Sequence, residues 1–334
     1  MFKLAELRHD HIFEKFVIIP NNNKKEYSNG NCPYCLGNES MTNATVLALV
    51  QKNGMLKRVY DDSEEINNWC VRVFPSNNPI VTQDTDTTYA DKPFAKEPAY
   101  GHHYILALAP DHRSPSKLSV EHWTNILVAL QDRIKWLYSK KGVTYVSVFM
   151  NNSKFIHPHM NIVTLSSIPP IIEKTAISVH KYIDEKGSCP ICDTVKYESN
   201  SSRQIFATNY FIAICPWAST HPYKFRILPK KHTVNFTRIT QKDIDDLALI
   251  IRVTLGALAN TIESDEFNLV FRLPPEKKQS KQFHWCIDIY PNDNEASILG
   301  DEFGIYINRL KPEDAASKLA YSSRREFAEI MGVK

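Results

Sequence analysis

The sequence predicts an α+β protein built from one unit used twice. Three observations predict it. Two Cys-x-x-Cys pairs, Cys32 with Cys35 in NCPYC and Cys189 with Cys192 in SCPIC, each place a proline after the first cysteine. Each pair is followed by the same succession, over residues 104–134 and 225–255: an apolar strand, a proline, a histidine, a short loop and an amphipathic helix. Each half then closes on strand sequence that carries a further histidine.

The helices are the clearest elements. Trp123, Ile126, Leu127, Leu130, Ile134 and Leu137 recur at i, i+3, i+4 and i+7, the period of one helix face. Ile244, Leu247, Ile250, Ile251 and Leu255 do the same in the second unit. Ser119 and Thr240 stand where N-caps belong, because a short side-chain oxygen there accepts from the first free amides. The closing strand sequences are TYVSVFMNNSKFIHPHMNIVTL and FNLVFRLPPEKKQSKQFHWCIDIYP. Between the halves, Ser167-Ile168-Pro169-Pro170 leads into a helix near 171–185, and Gly187 reads as its end. Residues 1–175 and 176–334 therefore read as two domains, the second a degenerate copy of the first. Trp123, Trp136, Tyr145 and Phe149 read as core.

Composition excludes several classes. A chain of 334 residues with 43% hydrophobic residues can bury a core without staples. No apolar run approaches a membrane span, and the start, MFKLAELRHDHIFEKF, is too charged for a signal peptide. The net charge of +3 is too small to imply a nucleic-acid partner. These features point to a cytoplasmic protein with no membrane and no nucleic acid as partner.

Cysteine and histidine carry the chemistry. The first half offers Cys32, Cys35, His112 and His157; the second offers Cys189, Cys192, His232 and His284 in the same order. Two thiolates and two imidazoles form the soft tetrahedral set that structural zinc prefers. The redox reading is weaker, since neither pair opens a helix in a thioredoxin-like context. The densest constellation is Phe155-Ile156-His157-Pro158-His159-Met160-Asn161. With His157 on the metal, His159 remains free, and a neutral imidazole is a good nucleophile toward phosphorus. Asn161 shares its strand face and could donate to a phosphoryl oxygen. His-x-His is also a common metal-ligand pair, and the spacing by itself does not choose.

The HPH motif followed by a residue and an amide, with CPYCLGNESMT upstream, resembles the galactose-1-phosphate uridylyltransferase family, a branch of the histidine-triad superfamily. The likeness runs through Glu6-Leu7-Arg8-His9-Asp10, Trp69-Cys70-Val71-Arg72-Val73-Phe74-Pro75, Ala109-Pro110-Asp111-His112, Gly304-Ile305-Tyr306-Ile307-Asn308 and Pro312-Glu313-Asp314-Ala315-Ala316. The resemblance implies two tandem histidine-triad-like domains, each an antiparallel sheet with packed helices. It implies His159 as the residue that becomes nucleotidylated and Asn161 in the place of the family's glutamine. It implies structural zinc, with nucleotide sugar and sugar 1-phosphate bound by Arg8, Lys24, Arg72, Ser76, Asn77, Asn152 and Ser153. Cys286 sits where the second copy of the nucleophile would be, so only the first half keeps one. The implied activity is UDP-glucose:galactose-1-phosphate uridylyltransferase, in a homodimer. Two alternatives stand beside it: an ADP-sugar or dinucleotide phosphorylase or adenylyltransferase, and a zinc-stabilised binding protein without catalysis.

Overall fold

The computed structural model describes residues 5–20, 31–52, 55–60, 66, 68–84, 89–275, 283–292 and 298–333. In chain order the elements are β1 (Glu6–Asp10), β2 (Lys15–Ile19), β3 (Leu47–Lys52), β4 (Met55–Val59), β5 (Trp69–Pro75), β6 (Lys96–Pro98), β7 (His103–Ala107), α1 (Val120–Tyr138), β8 (Tyr145–Asn152), β9 (His159–Leu165), α2 (Pro170–Lys186) and α3 (Pro190–Glu198). There follow β10 (Gln204–Ala207), β11 (Phe211–Ile214), β12 (Phe225–Pro229), α4 (Gln241–Ile262), β13 (Phe267–Arg272), β14 (Cys286–Pro291), α5 (Ile298–Phe303) and α6 (Pro312–Ile330).

The α+β class with antiparallel sheet and packed helices holds. Among the described residues eleven strands make one sheet in the order β10-β11-β12-β14-β13-β8-β9-β7-β5-β3-β4, and β2-β1-β6 form a small second sheet. The two halves meet edge to edge, where Phe267 to Phe271 pair with Asn152 to Val148. Outward from that seam the order β8-β9-β7-β5 is answered by β13-β14-β12-β11, which is the duplication seen in the sequence. The helix α2 carries the chain across, and Gly187 ends it at φ 71°, a left-handed value that costs glycine little.

Each closing segment is a hairpin rather than a single strand. Residues 153–158 turn between β8 and β9, because Ser153 and Pro158 favour turn over ladder there. Along β9 alternate residues face opposite ways. Met160 and Ile162 are buried in the main core with α1 and α4; His159 and Asn161 occupy the other face. Every apolar residue expected on the α1 stripe is fully buried, each contributing about 1.5–3 kcal/mol on removal from water. The Ser119 hydroxyl accepts from the His122 amide, and Thr240 forms a reciprocal capping box with Asp243.

Cys189 stands at the N-cap position of α3 with Pro190 in its first turn, but α3 follows α2 rather than a strand, so the pair opens no thioredoxin-like βαβ unit. One expectation is corrected. Trp136 is 37% exposed rather than core, with the Lys140 ammonium 4.0 Å from its ring. No helix among the described residues is long and apolar enough to cross a membrane.

Candidate active site and metal centres

The two metal-ligand sets come together as the sequence predicts. Cys32, Cys35, His112 and His157 place their donor atoms within 4.8 Å of one another, and so do Cys189, Cys192, His232 and His284. In the first set the Nδ1 of His157 lies 3.4 Å from the Cys32 sulfur and 3.6 Å from that of Cys35. In the second, Nδ1 of His284 lies 3.6 Å from Cys192, and Nδ1 of His232 lies 3.4 Å from the same sulfur. Zinc–sulfur and zinc–nitrogen bonds of about 2.3 and 2.05 Å give a tetrahedral S···N edge of about 3.6 Å. Four of the S···N distances lie close to that edge and the Cys189–His284 distance is 3.9 Å, so both donor sets suit a zinc ion.

Their electrostatics agree. Burial chiefly holds His157 and His284 down to about 4, so both imidazoles are neutral at pH 7, the form that can ligate a metal. Burial, then the neighbouring thiol, pushes Cys35 up to about 11 and Cys192 up to about 12. Thiols like these favour a cation that draws off their protons. The other nitrogen of His157, Nε2, donates to the Ala109 carbonyl at 2.9 Å, which leaves Nδ1 facing the sulfurs.

From this anchor the chain enters β9. The Leu108 amide donates to the Pro158 carbonyl, pinning the peptide between the two histidines. The Nδ1–H of His159 donates to the His157 carbonyl at 2.7 Å. A carbonyl can only accept, so Nδ1 carries the ring proton and Nε2 holds a lone pair. Burial lowers the His159 pKa, which keeps the ring neutral at pH 7. The Tyr34 ring stands edge-on to His159, with centroids 5.4 Å apart.

Asn161 lies on the same face, and a residue missed in the sequence orients it. The Ile80 amide donates to Nδ1 of His103 at 3.3 Å, so Nε2 of His103 carries the proton. That proton points at the Asn161 carbonyl oxygen, 3.0 Å away. The Asn161 NH₂ is thereby turned away from His103, available as a donor. His102 and His103 are adjacent in the sequence, which does not say which of them faces the site; the pairing of His103 with Val163 across β7 and β9 brings it near Asn161.

The remaining candidates divide. Arg72 shares the face of His159, since it pairs with Ala107, which pairs with His159. It is fully buried, its Nε donating to Thr45 Oγ1 at 2.7 Å and its Nη2 to Thr42 Oγ1. Ser76 is buried just past the end of β5, its amide donating to the His103 carbonyl, and Asn77 holds the loop ahead of β3 by donating to the Met41 carbonyl and accepting from the Asn43 amide. Ser153 lies in the turn before HPH, its carbonyl accepting from Ile156. Asn152 is not brought to His159. It pairs with Phe267, faces the helices and donates to the Asp265 carbonyl at 2.5 Å. Asn151 is one residue nearer the correct parity. Arg8 stands on the small sheet, paired with Glu6 at 3.0 Å. Lys24 lies outside the described residues.

No family model matches the chain. Its resemblance to galactose-1-phosphate uridylyltransferases is nevertheless borne out. It is 24% identical over 297 residues to the ADP-glucose phosphorylase of Arabidopsis thaliana, covering 85% of this chain and 80% of that protein. It is 23% identical over 336 residues to the galactose-1-phosphate uridylyltransferase of Thermotoga maritima, covering 95% and 98%. A solved uridylyltransferase structure superposes with a TM-score of 0.81 at 21% identity, over 96% of this chain and 99% of that one. The Arabidopsis thaliana ADP-glucose phosphorylase with bound ADP-glucose superposes at 0.75 and 23% identity, over 95% and 98%.

Proposed function

We propose that this chain is a nucleotidyltransferase that passes a nucleoside monophosphate between sugar 1-phosphates through a covalent adduct on His159, as a UDP-glucose:galactose-1-phosphate uridylyltransferase. The observation that carries this reading is the fixed tautomer of His159. With Nδ1–H on the His157 carbonyl, the Nε2 lone pair needs no activating base.

The nucleotide sugar presents its α-phosphorus to Nε2. A phosphorus–nitrogen bond forms as the bond to the sugar-phosphate oxygen breaks, and sugar 1-phosphate leaves with the electron pair. The ring gains positive charge, which the His157 carbonyl stabilises through Nδ1–H. Charge shifts on the non-bridging oxygens, where the Asn161 NH₂ donates. A second sugar 1-phosphate then attacks the adduct and regenerates His159. Zinc on Cys32, Cys35, His112 and His157 would supply a structural anchor for the peptide that orients His159. Cys286, at the equivalent position in the second half, is fully buried with its thiol pushed up to about 11, so the reading assigns it no nucleophilic role.

Residues 303–307 expose Phe303, Ile305 and Ile307, which supports a homodimer. A cytoplasmic compartment suits two thiol pairs kept reduced as ligands. The test is exchange of labelled glucose 1-phosphate into UDP-glucose with no other acceptor present. A double-displacement enzyme catalyses this exchange, and its absence refutes the reading. The likeness to an ADP-glucose phosphorylase favours a second reading, in which ADP-glucose is the donor and orthophosphate the acceptor. Exchange with ADP-glucose only, together with ADP release on adding orthophosphate, would select it.

A further inference from the structure

The face of the sheet that carries His159 and Asn161 continues across the seam. Asn161 pairs with Phe149, Phe149 with Val270, Val270 with Asp288 and Asp288 with Arg226. Three strand spacings thus separate Asn161 from Asp288, or about 14 Å. Asp288 occupies in the second half the position Asn161 holds in the first, four residues after the metal histidine.

The surroundings have changed in kind. Asp288 is fully buried. Its Oδ1 accepts from Arg226 Nε at 2.5 Å, and its Oδ2 accepts from Arg226 Nη2 at 3.0 Å and Arg272 Nε at 2.6 Å. Lys224, itself 8% exposed, brings its ammonium to 3.9 Å from Oδ2 and donates to Thr220 Oγ1 at 3.0 Å. Three cations surround one carboxylate, an excess of two positive charges. Burial, with Arg226 and Arg272 adding to it, holds Lys224 below the usual lysine range although Asp288 pulls the other way. Arg226 Nη1 and both terminal nitrogens of Arg272 have no partner among the described residues, and the two side chains are 30% and 32% exposed. Asp288 thus fixes two planar forks by their inner edges and leaves outer donors open.

We infer that Lys224, Arg226 and Arg272, held by Asp288, form a second phosphoryl-binding site that carries no nucleophile. A dianionic phosphoryl group, either free phosphate or a phosphate monoester, balances the excess charge and matches guanidinium donors in number and geometry. The duplicated cradle has kept its place on the sheet. It has exchanged a neutral amide and a reactive imidazole for a cationic nest, suited to holding a phosphate without reacting with it. The inference does not rest on the transferase reading.

The probe is inorganic phosphate, titrated calorimetrically into zinc-loaded protein. His159→Ala should keep a phosphate site of the same affinity as in wild type. Lys224→Met and Arg272→Gln should each weaken binding about tenfold or more. Lys224→Met leaves both arginine–Asp288 pairs in place, so its folding is spared. A variant-free measurement complements it: phosphate, and not chloride, should slow phenylglyoxal modification of Arg226 and Arg272 in wild type. Repeating the titration with glucose 1-phosphate and with uridine monophosphate identifies which phosphoryl source binds more tightly. No phosphate binding, binding lost in His159→Ala, or binding unchanged in both other variants overturns the inference.

Discussion

Replacing Asn161 tests the chemistry most finely, because its two ends do different work. The oxygen accepts from His103, and the NH₂ faces the reacting phosphate in the proposed mechanism. Asn161→Ala removes the donor, which should slow nucleotide transfer by about 10²–10³. It also strands the Nε2–H of a largely buried His103, costing about 1–3 kcal/mol of stability. Asn161→Asp separates the two effects. A carboxylate still accepts from His103, so stability is spared. Its charge, at about 4 Å from a phosphoryl oxygen and an effective dielectric of about 20, adds roughly 4 kcal/mol of repulsion. Aspartate should therefore transfer more slowly than alanine while unfolding at a higher temperature. His103→Leu should release the amide and cost about 10² in rate through misplacement, with Asn161 intact. The assay is single-turnover nucleotidylation beside thermal unfolding. Aspartate as active as asparagine would show that Asn161 does not face the phosphate.

Elemental analysis of protein purified without chelators should find two zinc ions per chain, and Cys32→Ser should lower both zinc content and unfolding temperature; zinc-free native protein contradicts the metal assignment. His159→Gly should regain part of its transfer activity on adding imidazole, which His159→Phe should not. Gly256→Ala should destabilise by about 1–3 kcal/mol, despite alanine's better helix propensity of about 1 kcal/mol. A Cβ there would clash with the Glu326 carboxylate, which Arg252 holds at 2.7 Å. Thermal melts of that variant check the packing of α6 on α4.

Both metal sets were legible because ligand chemistry is demanding and the same order occurs twice. The helices were legible from period and caps. The parity of β8 was not: NNSK offers two adjacent asparagines, and a one-residue difference selects the face. Arg72 was legible as important, yet its burial against Thr42 and Thr45 follows from the loop ahead of β3. His103 and the cations around Asp288 were hidden for one reason. Residues 103 and 161, or 224, 226, 272 and 288, are far apart in sequence and meet only through strand pairing.

The covalent intermediate is the central claim, and the mass of the intact protein tests it directly. Zinc-loaded wild type mixed with UDP-glucose, then rapidly denatured without acid, should gain the mass of one uridylyl group, and peptide mapping should locate it on His159. His159→Ala should gain nothing while keeping its zinc and its fold. An adduct that persists in His159→Ala, or wild type that gains no nucleotidyl mass from UDP-glucose or ADP-glucose, contradicts the account.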